Sequence, residues 1–310
     1  MSLRFLFFLL LLPSMAFADS SALILNGVPG SPEHAEKFTK WTDATRQALV
    51  EKFGFTPDRV IVLSDKKTTQ AEIKAAFTTL KQQLKPLDTF FLFFIGHGSG
   101  EGEYKFNSLG PDFTAVDYNQ FLSALTAGRI VVVNATSGSG AAIEALAGKN
   151  RVIVTATRSG SEGNDTVFYE HFVGALQNTA ADEDKDQKIS VWEAFKYASA
   201  GVERFYKEEG RLVTEHAQIS DNGADKTGPA VKDVPLLARS TSFQVDRPIV
   251  SSDPKLQALL NEKKEIEQKL EALRVNKPGI PEAEYEKGME ELLVQLALKN
   301  QEIAQQEKKK

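Results

Sequence analysis

The chain has 310 residues, enough for one or two domains with a sizeable core. A hydrophobic share of 42% and a charged share of 25% exclude a wholly disordered chain, a collagen and a polytopic membrane protein. A net charge of −5 gives no electrostatic footprint for nucleic acid, and the absence of cysteine excludes disulfides, thiolate metal sites and a Cys nucleophile.

Arg4, the apolar run from Phe5 to Leu12, and the small-x-small step Ala16-Phe17-Ala18 predict a secretory signal over 1–18. The run falls short of the ~20 residues that span a bilayer, so the exported chain begins at Asp19, secreted or periplasmic, with no membrane span after cleavage. An uncleaved anchor is the alternative. From there to about 250 the pattern alternates. Apolar runs at 22–28, 59–63, 89–95, 129–134 and 151–157 are continuous rather than alternating, as strands buried on both faces are. Stretches of helical spacing lie between and after them at 33–53, 69–84, 117–126, 141–147, 165–179 and 190–208. The expected fold is α/β, a mainly parallel sheet with helices on both faces and its chemistry at the carboxyl ends of the strands. A Gly/Asp-rich loop at 220–228 and a short apolar stretch at 234–237, read as a last strand, complete this domain. Over 251–310 a leucine seam runs through Leu256, Leu259, Ile266, Leu270 and Leu273, breaks at the Pro278-Gly279 step, and resumes through Tyr285, Met289, Leu292, Leu296 and Ile303. That spacing predicts an antiparallel helical hairpin offering a coiled-coil surface to a partner or to a second copy.

Two polar loops stand where chemistry is expected. The third strand runs into Gly96-His97-Gly98-Ser99-Gly100, which places a His at a cleft between glycines whose amides can face an oxyanion. The next strand runs into Asn134-Ala-Thr-Ser-Gly-Ser-Gly140, and the two loops are expected side by side. A tight turn with an incidental His is the plainer reading of the first.

These motifs resemble the caspase/legumain superfamily of cysteine peptidases (clan CD). There, one strand ends in His-Gly and the next in Ala-Cys-x-Ser-Gly. Phe94-Ile-Gly-His-Gly-Ser99 matches the first motif, and Val131 to Ser139 matches the second in position and in its Ser-Gly. The strand over 152–157, with Ser159, Ser161 and Glu162 after it, is similar to the family's substrate-side segment. The resemblance covers about 22–237 and implies a caspase-like frame. The family's Cys falls on Ala135 or on Thr136, depending on alignment. Three readings follow. A non-catalytic homologue (a pseudopeptidase) would bind a peptide or protein in its cleft. An active hydrolase would use Thr136 or Ser137 as nucleophile, His97 as general base and the Gly98 amide as oxyanion donor. A calcium-stabilised scaffold would carry a vestigial cleft. The first is preferred, because a hydroxyl needs an aligned base far more than a thiol does.

Within the domain, 182–193 fits the twelve-residue EF-hand loop. Asp182, Asp184 and Asp186 take positions 1, 3 and 5, the Lys188 carbonyl position 7, Ser190 position 9 and Glu193 position 12. Gln187 stands where Gly makes the sharp turn. Structural Ca2+ is the expected ligand. The alternative is an acidic helix start with a Ser190/Glu193 capping box. Asp221 to Asp225 is a weaker acidic loop, first of all an Asx-Gly turn. His34, His171 and His216 lie on or beside helices, and no two have ligand spacing, so they read as surface or satisfied core residues. Phe90, Phe91, Phe93, Phe94, Trp41 and Trp192 read as packing.

Overall fold

The computed structural model describes residues 19–231, 235–245, 251, 253–275 and 279–307. The predicted signal at 1–18, Val234 and the first residues of the predicted helix break at 276–278 lie outside the described residues. Among the described residues no helix is long and apolar enough to cross a membrane.

In chain order the elements are β1 (Ser20–Asn26), α1 (Pro32–Gln47), β2 (Val60–Leu63), α2 (Gln70–Gln83) and β3 (Thr89–Ile95). The short strands β4 (Gly98–Ser99), β5 (Lys105–Phe106) and β6 (Phe113–Thr114) come next. Then follow α3 (Ala115–Ser123), β7 (Arg129–Asn134), α4 (Ile143–Leu146), β8 (Arg151–Thr155), α5 (Phe168–Gln177), α6 (Val191–Glu208), β9 (Gln218–Asp221) and α7 (Leu236–Ser240). The chain continues with α8 (Pro254–Val275) and α9 (Glu282–Glu307). The helices begin where the sequence supplies caps. Ser31 accepts the His34 N–H ahead of Pro32, and Thr69 accepts the Glu72 N–H. Thr114 with Asp117, and Ser190 with Glu193, form full capping boxes. The helix predicted over 33–53 closes with a wider π-helical turn at Ala48–Lys52.

The main sheet has the order β2-β1-β3-β7-β8-β9, parallel except for β9. Side chains of one strand alternate between two cores. Ala22, Ile24, Phe91, Phe93, Val131, Val133, Val152 and Val154 face α1, α5 and α6. Leu23, Leu25, Phe90, Leu92, Phe94, Val132 and Ile153 face α2, α3 and α4. This double burial is why the strands read as unbroken apolar runs. Each buried Phe of β3 stabilises the fold by about 1.5–3 kcal/mol over an exposed one.

The last strand is corrected. Of the residues read as a strand at 234–237, the described ones, 235–237, lead into the helix α7, and the sixth strand is β9, antiparallel to β8. β9 carries Ile219 alone among polar neighbours, which leaves no apolar run to read. Asp221 accepts the N–H groups of Leu237 and Ala238, so the weaker acidic loop serves as the cap of α7. Asn222 and Gly223 there are left-handed, as an Asx-Gly turn requires. In the tail, α8 and α9 pack through Ile266, Leu270 and Leu296, with Met289 and Leu292 against them, so the predicted seam is the contact surface. Lys299, a charged residue in a seam slot, is held by Glu262 (2.6 Å) and Glu302 (2.7 Å).

Candidate functional site

The chain runs from β1 outward to β2 and returns to the other flank of β1 as β3, so the sheet reverses direction between β1 and β3. In open α/β sheets ligands bind in the crevice at such a switch point. The loop after β1 carries Gly27 to Gly30 and leads into α1. The loop after β3 carries His97. The two meet there: His97 Nε2 donates to the Pro29 carbonyl at 3.1 Å. A carbonyl only accepts, so this bond takes an Nε2 proton and leaves Nδ1 facing the cleft.

Nδ1 lies 3.4 Å from Asp165 Oδ1, and the other oxygen of Asp165 is 2.8 Å from His34 Nε2. His34 belongs to the first turn of α1, where its Nδ1 is 2.9 Å from Ser31 Oγ. Its ring meets His97 edge to face at 4.6 Å, and Phe38 closes on His97 from the same helix at 5.2 Å. Lys37, Trp41, Ser137 and Thr166 line the same space, which is about 10 Å³.

The predicted nucleophiles sit otherwise. β7 lies beside β3, so the two Gly-rich loops are adjacent, as expected. Thr136 is fully buried; its hydroxyl donates to Asn134 Oδ1 at 2.9 Å and lies 2.8 Å from the Tyr104 hydroxyl. Burial pushes the Tyr104 pKa far above its ordinary value, so that hydroxyl stays neutral. Asn134 Nδ2, buried beside them, has no partner among the described residues. Ser137 Oγ donates to the Gly98 carbonyl at 2.9 Å, and the Gly98 N–H points back at Ser137 Oγ at 3.4 Å. The amide expected to hold an oxyanion is thereby taken. Among the described residues neither hydroxyl is bonded to His97. Ala135, the other position matching the family's Cys, is buried, and its carbonyl accepts from Thr166 Oγ1 at 2.6 Å. Glycines let these loops close on one another. A Cβ on Gly98 would stand 2.4 Å from Thr136 Oγ1, and one on Gly100 would stand 2.4 Å from the Gly160 Cα.

The acidic loop is formed as a ring of oxygens. One carboxylate oxygen from each of Asp182, Asp184 and Glu193 lies within 4.8 Å of the others. Asp186 lies outside that triad and accepts the Lys188 N–H at 2.8 Å. Gln187 takes the left-handed conformation (φ 70°) that position 6 demands, as Lys185 also does (φ 57°). The capping box is present too, so the Ser190 hydroxyl donates to Glu193 Oε2 at 2.7 Å. The loop is tied to the chain beyond α7, where Phe243 N–H bonds the Ile189 carbonyl and Val191 N–H the Thr241 carbonyl. A carboxylate, a carboxylate and a buried Glu offer the all-oxygen donor set that suits Ca2+.

His34 and Asp165 are not among the sequence candidates, whereas Pro29 belongs to the 27–30 segment that sheet topology makes a cleft wall. A signal existed. The residues after the first strand and in the first turn of the following helix are those a β1/β3 switch point presents, but the histidine spacing concealed them. Asp165 reads in sequence as a helix start; α5 begins at Phe168, and Asp165 stands before it in the loop. The start of α5 is held by Glu215, which accepts from Val167 N–H (2.8 Å) and Phe168 N–H (3.2 Å). Burial raises the Glu215 pKa, and these two amides oppose that. His216 is fixed by Glu162, with Nδ1 2.6 Å from Oε1, which orders the loop after β8.

The fold and site together define an α/β protein with a mainly parallel six-stranded sheet and a polar cluster at its switch point. No protein-family model and no curated protein matches the sequence. Among solved structures, protein GSU0716 from Geobacter sulfurreducens is similar over 74% of this chain and 100% of its own, with 15% identity and a TM-score of 0.47.

Proposed function

We propose that this chain is an exported, non-catalytic homologue of the caspase/legumain-like peptidases that acts by binding a peptide or protein across the loops at the carboxyl ends of β1, β3, β7 and β8. One observation carries the reading. At the two positions that match the family's Cys, Ala135 has no nucleophile, and the Thr136 hydroxyl is buried and donated to Asn134, away from His97. The adjacency of the His97 and Ser137 loops on β3 and β7 supports the resemblance, since the two motifs must face one cleft. The space at His97 is too small for a peptide side chain, so recognition falls to the rim, where Val28 and Arg158 are exposed. The 182–193 loop would hold Ca2+ as a structural ion that pins α6 to the segment after α7.

The hydrolase alternative rests on Ser137, which shares the small cavity with His97. The test is incubation of the full chain with a diverse peptide mixture, read by mass spectrometry for both cleavage and retention, beside His97→Ala and Ser137→Ala. Retention without cleavage is expected. Cleavage lost in both variants would make Ser137 the nucleophile and overturn the non-catalytic reading.

A further inference from the structure

Three side chains that the sequence scatters meet at the switch point, and the binding role above gives them no joint task. One ligand atom from each of His34, His97 and Asp165 lies within 4.8 Å of the other two. We propose that His34, His97 and Asp165 form a site for a divalent first-row transition metal, with zinc the ion that fits two imidazoles and a carboxylate.

The ring orientations suit a cation. The Pro29 carbonyl accepts from His97 Nε2, so Nδ1, 3.4 Å from Asp165 Oδ1, is the nitrogen turned toward the cluster. A metal ion between Nδ1 and the carboxylate would take both as ligands. His34 Nε2 donates to Asp165 Oδ2 at 2.8 Å, and its Nδ1 is 2.9 Å from Ser31 Oγ, a hydroxyl that can accept Nδ1–H once an ion takes Nε2. Each imidazole thus has an oxygen acceptor for its outer nitrogen, the support that orients metal-bound histidines. Ligands bound at zinc distances in a tetrahedron stand about 3.3–3.6 Å apart. Here one ligand atom from each residue lies within 4.8 Å of the other two, with Asp165 Oδ2 2.8 Å from His34 and Asp165 Oδ1 3.4 Å from His97, so side-chain shifts on the ångström scale reach that spacing.

Space and charge agree. The cavity of about 10 Å³ is the room one water or one ion needs. Asp165 is the exposed member at 57%, so the remaining coordination position opens to solvent. Lys37 lines the same cavity, but its ammonium lies over the Trp41 ring at 4.7 Å and reaches the Thr166 carbonyl at 3.5 Å. An ion bound here takes the His97 lone pair, so the loaded protein has no His97 base for the hydrolase alternative.

The experiment titrates the full chain, freed of metal by chelation, with ZnCl2 by calorimetry and with CoCl2 by visible absorption. An Asp182→Asn background removes a ligand of the acidic loop. One equivalent of zinc is expected, with a cobalt spectrum typical of nitrogen ligation. His34→Gln and His97→Gln should each weaken zinc binding at least 100-fold, and Ser31→Ala, which loses the outer support together with the α1 cap, about 10-fold. Melting curves taken in chelator confirm that each variant folds. If a His variant does not, Asp165→Asn, altered at an exposed side chain, carries the same test. Zinc binding that is absent, or unchanged in these variants, overturns the site and leaves a histidine–carboxylate contact that only orders the loops.

Discussion

The 182–193 loop and the His97 cluster each bring three possible cation ligands within 4.8 Å of one another, and they are made in opposite ways. The acidic loop supplies its own counterweight. Glu193 accepts from the N–H groups of Glu183, Asp184 and Ser190 and from the Ser190 hydroxyl, and Asp182 accepts from those of Asp186 and Gln187. The His97 cluster draws on three segments of the chain, and among the described residues Asp165 is held there by the two imidazoles. A loop saturated by its own amides holds its shape before any ion arrives. A cluster of converging side chains holds its shape only through the fold around it.

The sharpest way to break this comparison is to remove one carboxylate from each. Glu193→Ala strips four donors of a buried acceptor and should destabilise the protein by about 3 kcal/mol in urea unfolding. Asp165→Ala, at an exposed position, should cost less than about 1 kcal/mol. Equal losses would remove the distinction. Next in size is calcium. With the affinity of extracellular modules, ~10⁻⁴–10⁻³ M, 10 mM Ca2+ should add about 1.4–2.7 kcal/mol, read as a rise in Tm. Asp182→Ala should abolish that rise and His97→Ala should leave it intact.

A smaller effect tests whether the Thr136 hydroxyl is structural. Thr136→Val should cost about 1 kcal/mol, because Tyr104 keeps its bond to Asn134, and should leave peptide retention unchanged. A loss of retention at full stability would return Thr136 to the binding site. The smallest is a slope with pH. Burial raises the Glu215 pKa in the folded state, so folding favours its neutral form. That stability is fully present below the ordinary carboxylate range and is lost as pH rises through the folded pKa. Wild type should therefore lose Tm relative to Glu215→Gln as pH rises from 4 to 8. A parallel pair of curves would show that the pKa of Glu215, which anchors the segment following Asp165, is not raised by folding.

Much of the fold is legible residue by residue. Phe90 to Phe94 are buried on alternate faces of a central strand, so each must be apolar, and the run announces itself. β9 is not legible, because an edge strand buries one Ile and draws its pairing from β8. The end of α5 nearest Asp165 was placed early in sequence because Asp favours helix starts, whereas Glu215, 48 residues from Val167, supplies the cap instead.

The sequence by itself determined the doubly covered parallel sheet, the acidic loop with its ligands at fixed spacing, the leucine seam and the exclusion of a thiol. These are local, because burial on a strand and convergence within a twelve-residue turn are set by neighbours along the chain. Only the tertiary structure decided which groups His97 meets. His34 and Asp165 are 131 residues apart and share a site because the chain reverses its strand order between β1 and β3. It also decided that the Thr136 hydroxyl turns inward: Asn134 Oδ1, two residues back at the end of β7, accepts from it, and the Tyr104 hydroxyl reaches it from the loop between β4 and β5.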